Sequence, residues 1–76
     1  MTNLKTLRMS TGLTQSEFAE RANVNVRVLQ HYEQGSKNID GAKIETLLSI
    51  ANVIGCRISD IVENEELKTK LKDSGY

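Results

Sequence analysis

The sequence predicts an all-helical domain of five short helices, and three observations carry that reading. Helix start and stop signals recur about every dozen residues. The run Thr14-Gln15-Ser16-Glu17 has the spacing of a capping box. Ile44, Leu47, Ile50, Ala51 and Ile54 form an apolar stripe at helical spacing.

The first helix is expected from about Asn3 to Thr11, with Leu4 and Leu7 one turn apart and Gly12 as its stop. The second opens on the capping box. Thr14 accepts from the Glu17 amide, Glu17 reaches back to the Thr14 amide, and Leu13 and Phe18 flank the box as a hydrophobic staple. It ends near Ala22. Asn23-Val24-Asn25 makes a tight turn, because asparagine tolerates the left-handed backbone. Asn25 caps the third helix, Val24 and Leu29 repeat the staple, and Gly35 ends it. A polar loop, Ser36 to Asn38, follows. The fourth helix is expected to open at Ile39-Asp40, with Asp40 as cap and Ile39 stapled onto Ile44, and to end at Gly55. The fifth starts near Arg57–Ser59 and buries Ile58, Ile61 and Val62. The charged stretch from Glu63 to Lys72 extends this helix or frays. The reading divides the chain into a domain over residues 1–63 and a charged C-terminal extension over residues 64–76.

Two helices joined by a turn of three or four residues make a helix-turn-helix, and the second and third helices fit. Stepping about 100° per residue along the third helix separates two faces. Val26, Arg27, Gln30, His31 and Gln34 fall within an arc of about 140°. Most are polar and long enough to reach base edges in a major groove. Val28, Leu29, Tyr32 and Glu33 occupy the other side, which suits a core except for Glu33. A lone inward charge is costly, so Glu33 needs a partner.

Composition bounds the alternatives. The chain has 76 residues, 38 % of them apolar and 26 % charged, which suits one soluble domain. One cysteine allows no internal disulfide and no zinc framework, and it fits a reducing cytoplasm. The apolar runs are too short to span a membrane, and Met1 to Lys5 lacks the layout of a signal peptide. Net charge is zero, against the basic imprint expected of a nucleic-acid binder. The charge is uneven, however. Residues 1–43 hold six Lys or Arg against four Asp or Glu, and the rest reverses those numbers. A local patch matters more than the sum.

The ordered set of residues resembles the phage-repressor-like (Xre/Cro-type) helix-turn-helix family. It runs through Leu7-Arg8, Gly12-Leu13-Thr14-Gln15, Phe18-Ala19, Val24-Asn25, Leu29, Glu33 and Gly35, and ends on Leu47, Ile50-Ala51 and Ile54-Gly55. The resemblance covers residues 3 to about 63. It implies a compact, lambda-repressor-like five-helix fold whose third helix enters the major groove. It implies that Gln15 approaches a phosphate and steadies the recognition helix, and that Val26, Arg27 and His31 face bases. Gln34, Lys37 and Asn38 match the region that touches backbone phosphates, and Arg8 pairs with Glu33. With the cap residues Thr14 and Asn25, and with Gln30 on the outward arc, these complete the candidate DNA-binding set. The sequence departs from the family at three places. Asn23 replaces a frequent glycine, Asn38-Ile39 stands where proline is common, and Val26 is apolar at an often polar position, where a thymine methyl contact suits it.

The resulting expectation is a non-enzymatic, sequence-specific DNA-binding regulator that represses by occupying a promoter. It binds double-stranded DNA as a homodimer in the cytoplasm and needs no cofactor. The segment Ile58 to Leu71 is the candidate dimer interface, since it lies beyond the motif. Within it, Leu67 and Leu71 read as the apolar side of a loose tail or as a dimer contact. The rival is a protein-interaction module, such as an antitoxin or assembly subunit, which the zero net charge favours. An enzyme has little support, because no paired nucleophile and base, phosphate loop or metal set is present. Plainer readings stand beside the functional ones. Arg27 and His31 are also ordinary exposed side chains, Tyr32 is a packing residue, and Cys56 is a small buried apolar one.

Overall fold

The computed structural model describes residues 1–76. The helices are α1 (Asn3–Thr11), α2 (Gln15–Ala22), α3 (Val26–Gln34), α4 (Ile44–Ile54), α5 (Ile58–Ile61) and α6 (Glu65–Asp73), with a 3-10 turn at Ile39–Gly41 between α3 and α4. The class is all-helical as predicted, but there are six helices rather than five.

The first three helices follow their local signals. Thr2 caps α1 by accepting from the Lys5 amide at 3.2 Å. The capping box of α2 is closed on both sides, Glu17 N to Thr14 Oγ1 at 3.1 Å and Thr14 N to Glu17 Oε1 at 3.0 Å. Asn23 takes the left-handed conformation, φ 55°, that lets a chain without glycine turn between α2 and α3. Asn25 Oδ1 then accepts from the Arg27 and Val28 amides, satisfying the exposed start of α3.

The fourth helix departs from expectation. Asp40 does not cap it and Ile39 does not staple onto Ile44. Both sit in the 3-10 turn, and α4 begins at Ile44 behind Lys43, which makes no side-chain cap. Ile39 instead drops into the core, while Ile44 stays half exposed at the edge of the apolar stripe. Asp40 serves a distant helix. Its two carboxylate oxygens accept from the Glu63 amide at 2.7 Å and the Asn64 amide at 2.9 Å, just before α6. A carboxylate bonded to two backbone N–H groups near a helix start is a strong local arrangement, and it outcompetes capping of the nearer helix. Asp40→Ala is therefore expected to loosen α6 and to lower stability by about 1–2 kcal/mol. A domain of this size loses about 4–8 °C of melting temperature for each kcal/mol. Thermal melts of Asp40→Ala beside Asp40→Asn, which keeps one acceptor, check this; a melt of the alanine variant that overlays the parent contradicts it.

The core joins all the longer helices. Leu4 of α1, Phe18 of α2, Leu29 of α3, Ile50 of α4, and Ile61 and Val62 at the end of α5 are fully out of water. The C-terminal stretch neither extends α5 nor frays. Val62 takes an extended backbone, and Asn64 caps α6 by accepting from the Leu67 amide. Leu67 and Leu71 pack partly buried against the same core. The candidate dimer segment is thus largely spent inside the chain, because Ile58, Ile61 and Val62 are buried. Burial of Ile58, Ile61 and Val62 is as the sequence predicts; only the docking of Leu67 and Leu71 depends on contacts that local spacing does not show. The chain end also folds back, with the Ser59 amide donating to the Tyr76 carbonyl at 2.9 Å.

Candidate nucleic-acid interface

The α2–turn–α3 unit presents α3 with one face in the core and the other in solvent. Leu29, Tyr32 and Glu33 are buried, whereas Arg27, His31 and Gln34 are exposed. Gln30 and Val26 lie between these extremes, and Val26 packs against the core, so its outward reach is reduced. Lys37 and Asn38 are exposed in the loop after α3. The Lys37 ammonium lies 5.6 Å from the centroid of the Tyr32 ring, a cation–π distance that holds it beside the end of α3. Thr14 and Asn25 are exposed, but their side-chain oxygens are committed as helix caps. Asn38 Oδ1 is similarly committed to the Asp40 amide.

The buried Glu33 carboxylate orders the back of the unit. Arg8 Nε lies 2.7 Å from Glu33 Oε2 and Arg8 Nη2 lies 3.0 Å from Oε1, a two-pronged pairing of guanidinium and carboxylate. The third Arg8 nitrogen, Nη1, donates to the Leu13 carbonyl at 2.9 Å. Gln15 Nε2 also donates to Glu33 Oε1, at 3.1 Å, and Gln15 Oε1 accepts from Gln30 Nε2 at 3.4 Å. Thr2 Oγ1 donates to the Glu33 carbonyl. No buried side-chain nitrogen or oxygen lacks a hydrogen-bond partner, as a stable polar cluster requires.

The resemblance implies that Gln15 approaches a phosphate and steadies the recognition helix. Here its amide group joins Glu33 to Gln30, linking α2 to both faces of α3. This is the steadying of α3 that the resemblance implies for Gln15, though its partners were not named by the sequence, and the roles of Thr2 and Ser36 escaped sequence reasoning. Such polar residues mark their partners only once helices far apart in the chain are packed together.

The remaining surface offers little chemistry. The two shallow depressions are lined by Glu17, Glu20 and Arg21, and by Ala22, Asn23, Val24, Glu45, Thr46 and Ser49. Neither brings a nucleophile beside a base. The backbone and hydroxyl hydrogen bonds from Thr14 hold the exposed Glu17 carboxyl below its usual range. Burial pushes the half-buried Cys56 thiol up, and the Asp60 charge adds to that, which disfavours the reactive thiolate. No three His, Cys, Asp or Glu residues are grouped to hold a metal ion, and no helix is long and apolar enough to cross a membrane.

An all-helical domain with two short helices at a tight turn, the second with one face in the core and a polar face in solvent, defines the helix-turn-helix class. A family model described as Helix-turn-helix matches residues 4–61, and the chain belongs to that family, in its phage-repressor-like (Xre/Cro) branch. No curated protein and no solved structure matches the chain.

Proposed function

We propose that this chain is a sequence-specific, DNA-binding transcriptional regulator that reads the major groove with α3. The observation that carries the reading is the division of α3. Arg27, His31 and Gln34 project into solvent, while Glu33 on the opposite side is locked to Arg8. A rigid back and a polar front suit base readout, with phosphate contacts fixing the register. Arg27 and His31 read bases with support from Gln30. Gln34 donates a hydrogen bond to a phosphate and Lys37 neutralises one, beyond the end of α3. A single recognition helix contacts few base pairs, so useful affinity comes from a homodimer on a two-fold site. Repression by occupying a promoter in the cytoplasm is the simplest mechanism, and it needs neither catalysis nor a cofactor.

Lys37 supplies the test of anchoring. Its ammonium sits in an exposed loop, where a point charge neutralises phosphate without reading sequence. Lys37→Ala is expected to weaken binding to all duplexes alike and to lower the salt slope by about one unit. Fluorescence anisotropy across several salt concentrations measures both. An unchanged slope with unchanged affinity contradicts a phosphate contact at Lys37.

The second reading is a protein-interaction module, such as an antitoxin or assembly subunit on the same fold. Zero net charge, with the acidic excess after residue 43, favours it. Co-purification with one defined partner, without DNA binding, distinguishes it.

A further inference from the structure

His31 is exposed on the outward face of α3, one turn after Arg27. Its hydrogen-bonding character is set by a residue outside the helix. Nδ1 of the ring lies 2.9 Å from Ser36 Oγ. The same Ser36 hydroxyl lies 3.3 Å from the His31 carbonyl oxygen and donates to it. The chain reverses at Gly35, with φ 81°, and the Lys37 amide donates to the same His31 carbonyl at 3.1 Å. These contacts hold Ser36 against the ring.

A serine hydroxyl carries a single proton. When that proton goes to the His31 carbonyl, Ser36 Oγ is left as an acceptor for Nδ1. Nδ1 must then carry the ring hydrogen. The opposite tautomer asks one hydroxyl proton to serve both the carbonyl and Nδ1, and so loses one of the two contacts. The hydrogen bond at one ring nitrogen thereby fixes the state of the other. In the Nδ1–H tautomer Nε2 is left with a lone pair, and the ring's hydrogen bond within the protein is the one at Nδ1.

We infer that His31 is a specificity-determining residue that accepts a hydrogen bond from a base amino group through Nε2, with Ser36 as its positioning residue. The inference rests on the major-groove reading proposed above. In that groove adenine and cytosine present amino donors, N6 and N4, whereas guanine O6 and thymine O4 are acceptors. An imidazole nitrogen that only accepts therefore separates amino bases from keto bases on the strand it faces. One neutral hydrogen bond gained or lost corresponds to about a three- to tenfold difference in affinity.

Two measurements on the full chain at about pH 8 test this. The first is a long-range proton–nitrogen NMR spectrum of the free protein. The expected pattern is a protonated Nδ1 and an unprotonated Nε2 in the parent, shifting toward protonated Nε2 in Ser36→Ala. The second is competition binding with single-base variants of a selected duplex. The parent is expected to favour adenine or cytosine over guanine or thymine at one position by about three- to tenfold. Ser36→Ala, with an unaltered thermal melt, is expected to lose or reverse that preference.

A protonated Nε2 in a parent protein that still selects a site overturns this inference alone. So does an amino-base preference that Ser36→Ala leaves intact. Absence of any sequence-selective binding overturns the inference together with the function it rests on, whichever tautomer the spectrum shows.

Discussion

Glu33→Ala is expected to destabilise the domain by about 3–5 kcal/mol, the cost of leaving a buried charge without its partner. The Glu33 side chain is 1 % exposed and that of Arg8 is 11 % exposed, so water replaces little of what is lost. The variant strands two Arg8 N–H groups and the Gln15 amide donor together, because all three converge on one carboxylate. At about 4–8 °C per kcal/mol, the melting temperature should fall by at least about 12 °C. A second comparison separates loss of the pair from loss of packing. The double variant Arg8→Met with Glu33→Met removes both charges and keeps much of the apolar bulk, so it should be more stable than Glu33→Ala. A Glu33→Ala melt that overlays the parent contradicts the structural role of the pair.

Arg27→Ala is expected to cost about 1–3 kcal/mol of affinity on the preferred site and to relax preference at one base pair. Arg27 is exposed in the first turn of α3, and the helix start behind it is fixed by Asn25. An arginine so placed can pair in two-pronged fashion with guanine O6 and N7. Its loss should therefore fall on one sequence position, unlike the uniform loss expected for Lys37→Ala. Anisotropy on the selected site and its single-base variants distinguishes the two. If the ranking of variants is unchanged and only the salt slope alters, Arg27 touches phosphate. The reading face then centres on Gln30 and His31.

The parts of this account that were legible in the sequence are the local ones. The Thr14–Glu17 box, the left-handed Asn23 and the Asn25 cap each depend on residues within one turn, so spacing alone specifies them. The two faces of α3 follow from helical geometry in the same way. The Arg8–Glu33 pairing became legible by combining the inward position of Glu33 with the family resemblance.

What escaped the sequence depends on contacts between distant segments. Asp40 looked like a cap for α4 because Ile39 and Ile44 flank it at staple spacing, yet its carboxylate reaches the Glu63 and Asn64 amides. Leu67 and Leu71 looked like a loose tail or a contact with another copy, because nothing nearby shows that α6 folds back on α5. Ser36 is an ordinary polar residue until His31 is brought beside it, and the partner through which Gln15 steadies α3, Glu33, is set only by packing. A local pattern records which bonds a residue can make, and the packed chain decides among them.

Selection of bound duplexes from a random DNA pool by the full chain tests the central claim most directly. Sequence-specific reading by α3 in a homodimer predicts enrichment of one two-fold site, with half-sites about 34 Å, one helical turn, apart. That preference should depend on Arg27. A chain that enriches no sequence, binding all duplexes alike or none, contradicts the account.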